Sequence, residues 1–194
     1  MQRDEQTSLP ATSHLAHGAV LTLGHSTLDI ESFLRLLTGY GIRHLADIRT
    51  IPRSRHNPQF NEQTLAASLR AAHFNYSWRQ ALGGLRHARK DSPNGGWRNK
   101  SFQGYADYMQ TETFNDALVS LIELSRVERV AIMCAEAVPW RCHRSLVADA
   151  LCVQGVPVVE ILSESSYRLH TLTPFARVDG MRITYPPEQA SLSL

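Results

Sequence analysis

Apolar positions along the chain follow two rhythms: short continuous runs, and longer stretches with an apolar residue every three or four positions. Val20-Leu21-Thr22-Leu23 is a run that stops at Gly24-His25-Ser26. Ser26-Thr27-Leu28-Asp29 fits a capping box, and Ile30, Phe33, Leu34 and Leu37 follow at the spacing of one helix face. That helix should end near Gly39 or Gly41. His44 to Ile48 reads as a second strand, so strand, helix and strand form a βαβ unit with parallel strands. Asn61 is placed to cap the next helix, with Phe60 stapled onto Leu65. Leu65, Leu69 and Ala72 form its stripe, and Phe74 to Trp78 is a third strand. A helical piece around Tyr105 and Met109 precedes a helix from about Thr113, faced by Phe114, Ala117, Leu118, Leu121 and Ile122. Arg129 to Met133 is the fourth strand. A helix expected to begin near Pro139 carries Leu146, Val147, Ala150 and Leu151, and Gly155 ends it. Val156 to Ile161 is a fifth strand, placed near an edge by Pro157. Two β-prone runs flank Asp179-Gly180, a hairpin signal that would set Arg177 opposite Arg182.

This pattern predicts an α/β fold: a single domain with an open, mainly parallel sheet of about five strands, helices on both faces and a C-terminal β-hairpin. Its expected span is 19–185, with 1–18 loosely packed and 186–194 a loose tail. Residues 84–101 have little apolar pattern but carry Arg86, Arg89, Lys90, Arg98 and Lys100, and are expected to be a mobile basic loop.

At 194 residues the chain can bury a full core without staples. Three cysteines with no paired spacing argue against a secreted disulfide framework. The polar start contains no apolar signal-peptide core and no run reaches membrane-spanning length, so a cytoplasmic protein without a membrane partner is expected. The net charge of +2 is unevenly spread. Residues 1–100 hold 13 Lys/Arg against 7 Asp/Glu, whereas residues 101–194 hold 7 against 11. The positive half favours an anionic partner.

Chemistry concentrates between Cys134 and Arg144. In open parallel sheets, ligands sit beyond the carboxyl ends of the strands. There the first strand delivers His25 and Ser26, the second Asp47 and Arg49, and the fourth Cys134 and Glu136. Free amides at a helix start near Pro139, with Arg141 and Arg144, would hold an anion. The same field would favour a Cys142 thiolate beside His143. The candidate catalytic residues are therefore Cys142, Cys134, His143, Glu136, His25 and Asp47, and the candidate ligand-binding residues are Ser26, Arg49, Arg53, Arg141 and Arg144. Six residues separate Cys134 from Arg141, one more than the cysteine-phosphatase loop allows.

Four spaced motifs carry a resemblance. Gly24-His25-Ser26, Leu45-Ala46-Asp47-Ile48-Arg49 with Pro52 and Ser54, Leu82-Gly83-Gly84, and Cys134-Ala135-Glu136 followed by Cys142-His143-Arg144 occur together. The chain thus resembles the uncharacterised bacterial family called domain of unknown function 488, from about residue 20 to 178. The resemblance implies that these polar motifs belong together, and supplies no reaction.

The function read from the residues is binding of a phosphate-bearing ligand, a nucleotide or small phosphorylated molecule. Processing of that ligand would be hydrolase or transferase chemistry by a cysteine or acid/base site. An alternative is a nucleic-acid-binding module using Arg86, Arg89, Lys90, Trp97, Arg98 and Lys100. A second alternative is a metal-dependent hydrolase. No cofactor is expected on the first reading; zinc would need Cys134, Cys142, His143 and a fourth ligand from His25 or Asp47.

Overall fold

The computed structural model describes residues 18–187, so the ends expected to be loose lie almost wholly outside the described residues. Six strands form one sheet in the order β3-β2-β4-β1-β5-β6. They are β1 (Val20–Gly24), β2 (His44–Asp47), β3 (Asn75–Trp78), β4 (Val130–Cys134), β5 (Val158–Ile161) and β6 (Tyr167–Leu169). The first five are mutually parallel and β6 is antiparallel to β5. The helices are α1 (Ile30–Gly39), α2 (Glu62–Ala71), α3 (Lys100–Tyr108), α4 (Glu112–Val127) and α5 (Arg144–Val153). The α/β reading of the sequence is therefore observed, with one strand more than the apolar runs reveal. All three β6 residues are exposed, which is why no buried run marked it.

Strand alternation assigns the core to two faces. Leu21, Leu23, Leu45, Ala131 and Met133 pack with Phe33 and Leu37 of α1 and Leu65 and Leu69 of α2. Val20, Ala46, Val130 and Ile132 pack with side chains of α3, α4 and α5. A period of two sends neighbouring side chains to opposite faces, so a central parallel strand must be apolar throughout.

Three local readings are corrected. The first helix is capped by Asp29, whose carboxylate accepts from the Ser32 amide at 2.7 Å, rather than by Ser26. Ser26 instead stands at φ +47° and donates its amide to Ala135. Asn61 occupies the N-cap position of α2, but its side chain accepts from the Ser54 amide. The hairpin of β7 (Arg177–Asp179) and β8 (Arg182–Thr184) turns at Gly180-Met181, one residue later than expected. Gly180, at φ +58°, supplies the positive φ that such a turn demands at its first central position. Asp179 therefore faces Arg182, and Arg177 faces Thr184, so no like-charge pair arises.

The segment expected to be a mobile basic loop is fastened at several points. Asp107 accepts from the Arg89 amide, the Ser92 hydroxyl and the Asn94 amide group. Asn94, wholly buried, also accepts from the Tyr185 amide.

A buried polar network ties α5 to the chain beyond β6. His170 bonds Asp149 at 2.8 Å and Glu160 at 2.7 Å. Burial opposes its charge, yet the two carboxylates more than offset this and raise its pKa to about 9. A histidine raised in the folded state stabilises it fully below the unfolded value near 6.5. That contribution is lost as pH rises through about 9. Urea midpoints should therefore fall between pH 7 and 10; an unchanged midpoint across that window would mean that His170 carries no charge in the fold.

Candidate functional site

Adjacent strands β2, β4 and β1 end side by side, so Asp47, Cys134 and Gly24 share one rim. The chain beyond β1 stays close to the chain beyond β4, because the His25 amide donates to Cys134 and the Ser26 amide to Ala135. A Cβ on Gly24 would lie 1.7 Å from the Glu136 carbonyl oxygen, so the close approach requires glycine. Above this rim lies a cavity of about 410 Å³. His25, Arg49, Arg53, Cys134, Glu136, Arg141, Cys142 and His143 all contribute to its wall.

The sulfurs of the two rim cysteines face each other in contact, with Cα atoms 7.7 Å apart, so closing a disulfide between them draws the two backbones together. An odd cysteine count gave no sign of this. Cys134 enters from the end of β4. Cys142 enters from an extended residue between a three-residue turn, Pro139–Arg141, and α5. The helix start expected near Pro139 is therefore displaced to Arg144, and Cys142 precedes the cap residue, His143, instead of lying in a first helical turn. The helix-tip anion seat expected there is not built by so short a turn.

Each sulfur has a dedicated neighbour. The Arg144 Nε donates to Cys134 Sγ at 3.1 Å. His143 Nδ1 stands 3.6 Å from Cys142 Sγ, while its Nε2 lies 3.0 Å from the Ile48 carbonyl. A carbonyl only accepts, so Nε2 carries the proton and Nδ1 presents its lone pair to sulfur. Burial pushes the His143 pKa down to about 4, with Arg144 and Arg86 adding to the effect.

His25 is neutral for similar reasons: burial, then the charge of Arg49, lowers its pKa to about 4. Its Nδ1 donates to the Ser26 carbonyl at 2.9 Å and its ring stacks on Phe60 at 4.1 Å. Its Nε2 faces Arg49 Nη1 at 3.4 Å, so its lone pair is engaged by a guanidinium.

Several candidates lie behind the wall instead of in it. Asp47 is wholly buried and holds Arg49 through both carboxylate oxygens, while Tyr76 donates to it at 3.0 Å. It is a fixed counterion. Arg144 is also buried, and donates to Thr22, Cys134 and the carbonyls of Glu136 and Ala137. Its donors are directed at the protein, and neither it nor Ser26 lines the cavity. Arg53 and Arg141 differ: both are exposed, both line the cavity, and neither side chain has a hydrogen bond or ion pair within the described residues.

Thr50, Gly84, Asn99, Phe102 and Tyr105 also line the space, and apolar periodicity gave no reason to choose them. Only Gly83-Gly84 left a sequence signal. Its structural basis is crowding, since a Cβ on Gly83 would meet Thr50 Oγ1 at 2.7 Å and one on Gly84 would meet His143 Nδ1 at 3.0 Å.

The residues of the nucleic-acid alternative are mostly committed. Arg86 lies 3.7 Å over the Tyr108 ring, Arg89 pairs with Asp91, and Lys100 donates to Gln103. Trp97 packs against Phe102, Phe175 and Tyr185. Lys90 is exposed, and Arg98 lines a neighbouring cavity of about 700 Å³. Among the described residues, no group of three His, Cys, Asp or Glu is disposed to hold a metal ion. No described helix is long and apolar enough to cross a membrane.

Compared with known proteins, residues 29–151 match the family described as Domain of unknown function DUF488. No curated protein and no solved structure matches the chain.

Proposed function

The chain belongs to the DUF488 family, whose name assigns no reaction, and from its own residues we propose that the cavity binds a phosphate-bearing ligand, a nucleotide or a small phosphorylated molecule. One observation carries this reading: two guanidiniums without partners among the described residues, Arg53 and Arg141, open onto the same cavity as the cysteine pair. Arg49 adds a third, but Asp47 already neutralises it. Charge-assisted, bidentate hydrogen bonds suit arginine to phosphate.

The neighbouring space accommodates the rest of such a ligand. It shares Asn99, Phe102, Glu136 and Arg141 with the first cavity and adds Trp97, Trp140 and Phe175. Trp140 is 57% exposed and offers a face for a planar group. Processing would fall to reduced Cys142, with His143 Nδ1 accepting its proton and Glu136 exchanging protons at the exposed mouth. Hydrolase or transferase chemistry fits that arrangement.

Calorimetric titration with nucleoside phosphates, sugar phosphates and inorganic phosphate tests the binding. Removing one charged donor costs about 1.5–3 kcal/mol, so each of Arg53→Ala and Arg141→Ala should weaken the best ligand by roughly tenfold or more. Both side chains are exposed, and the variants should fold normally. Absence of saturable binding at millimolar concentration, or unchanged affinity in the double variant, would remove the proposal.

A further inference from the structure

The cysteine pair supports a second kind of chemistry, one that does not depend on the ligand being a phosphate. We propose that Cys134 and Cys142 are a redox-active pair whose dithiol form reduces a hydroperoxide and is left as the disulfide.

Position comes first. Both cysteines line the cavity, so a small oxidant reaches them without unfolding, and their sulfurs are in contact, so a modest approach of the two backbones closes the bond. Activation comes next, and it differs between the two. Cys142 has a hydrogen-bond acceptor, His143 Nδ1, whose lone pair is directed to sulfur by the Nε2 contact with Ile48 and which offers the thiol proton a path outward. Cys134 has a donor, Arg144 Nε, which stabilises a thiolate. That donor cannot wander, because Thr22 and the carbonyls of Glu136 and Ala137 hold the other guanidinium nitrogens. A purely structural cysteine needs neither group. Cys152 provides the contrast: it sits on α5, half buried, and burial followed by the charge of Asp149 pushes its thiol pKa up.

The steps balance. The Cys142 proton passes by way of His143 Nδ1 to solvent, and the thiolate attacks the terminal peroxide oxygen. The O–O bond breaks, giving Cys142 sulfenic acid and an alkoxide, or hydroxide from hydrogen peroxide, which takes a proton from solvent and leaves as the alcohol or water. The Cys134 thiol gives its proton to solvent, its thiolate attacks the Cys142 sulfur and expels hydroxide, and the hydroxide takes a proton back from solvent and leaves as water. Two thiols lose two electrons, and the peroxide gains them. A small thiol reductant restores the dithiol by exchange, first as a mixed disulfide and then with release of its own disulfide.

The test uses the full chain carrying Cys152→Ser, reduced and freed of reductant, with no phosphate ligand present. Stoichiometric hydrogen peroxide is added near neutral pH, and free thiols are counted after denaturation. The expected result is loss of both thiols in monomeric protein, with a Cys134–Cys142 link in the peptide masses and full recovery on reduction. Adding Cys134→Ser should halt the reaction at a Cys142 sulfenic acid trapped by dimedone. His143→Ala should slow thiol loss by about a hundredfold or more, the usual scale for a lost general base. Persistence of both thiols, disulfide-linked dimers in place of the internal link, or a Cys142 rate no faster than that of Cys152 in the unmodified chain would overturn the proposal. The peptide map of the unmodified chain decides the linkage even if a variant fails to fold. Phosphate binding is measured separately, so either proposal can fail alone.

Discussion

Asp149→Ala is expected to destabilise the fold by about 3–5 kcal/mol, the scale for removing one partner of a buried ion pair. Its carboxylate accepts from His170, from the Thr173 amide and hydroxyl, and from Tyr185. Asp149 and Tyr185 are wholly buried, so water cannot replace the lost oxygens without rearrangement. His170 would keep only Glu160. The pH dependence supplies a control. With one carboxylate gone, the rise in the His170 pKa shrinks, and stability should fall less steeply between pH 7 and 10 than in the parent. A urea-derived loss below about 1 kcal/mol would show that the network is worth no more than an exposed pair.

Gly24→Ala should be comparably damaging for a steric reason. The added carbon would meet the Glu136 carbonyl oxygen at 1.7 Å and its carbon at 2.5 Å, both backbone atoms. Arg144 Nη2, bonded to that same oxygen at 2.7 Å, would be 3.0 Å away. Ordinary overpacking costs about 1–3 kcal/mol, and relief here requires moving the strand-end loop that positions both cysteines. Melting should show a loss at or above that range, together with slower formation of the Cys134–Cys142 link. Gly155→Ala makes the comparison. Gly155 has φ +76° but nothing within 4 Å of the added carbon, so only left-handed backbone strain applies, roughly 1–2 kcal/mol. Equal losses at the two positions would show that the Gly24 contact relaxes freely.

How much of this could be read beforehand depended on where each residue's partner lies in the chain. Apolar runs marked β1, β2, β4 and β5 because strands covered on both faces must be hydrophobic along their whole length. Helix starts were less legible. Ser26 and Asp29 are both good caps by type, and the choice between them was made by the Ser26 amide, which is engaged by Ala135 more than a hundred positions away. Arginines looked alike in the sequence. Packing divides them into Arg49 and Arg144, committed to protein acceptors, and Arg53 and Arg141, open to the cavity. The network of Asp149, Glu160 and His170 left no trace, since each sits in an ordinary helix, strand or polar loop.

From the sequence alone came the α/β class, the order of most elements, and the set of strand ends that would carry polar groups, all consequences of local hydrophobic period. Only the tertiary structure decided that β4 lies between β1 and β2, which brings Gly24, Asp47 and Cys134 to one rim. It alone brought the two sulfurs into contact, turned His143 Nδ1 toward one of them, and spent Asp47 on Arg49. Periodicity reports which face a residue buries; which groups meet there depends on sheet order and loop path, set by packing between distant segments.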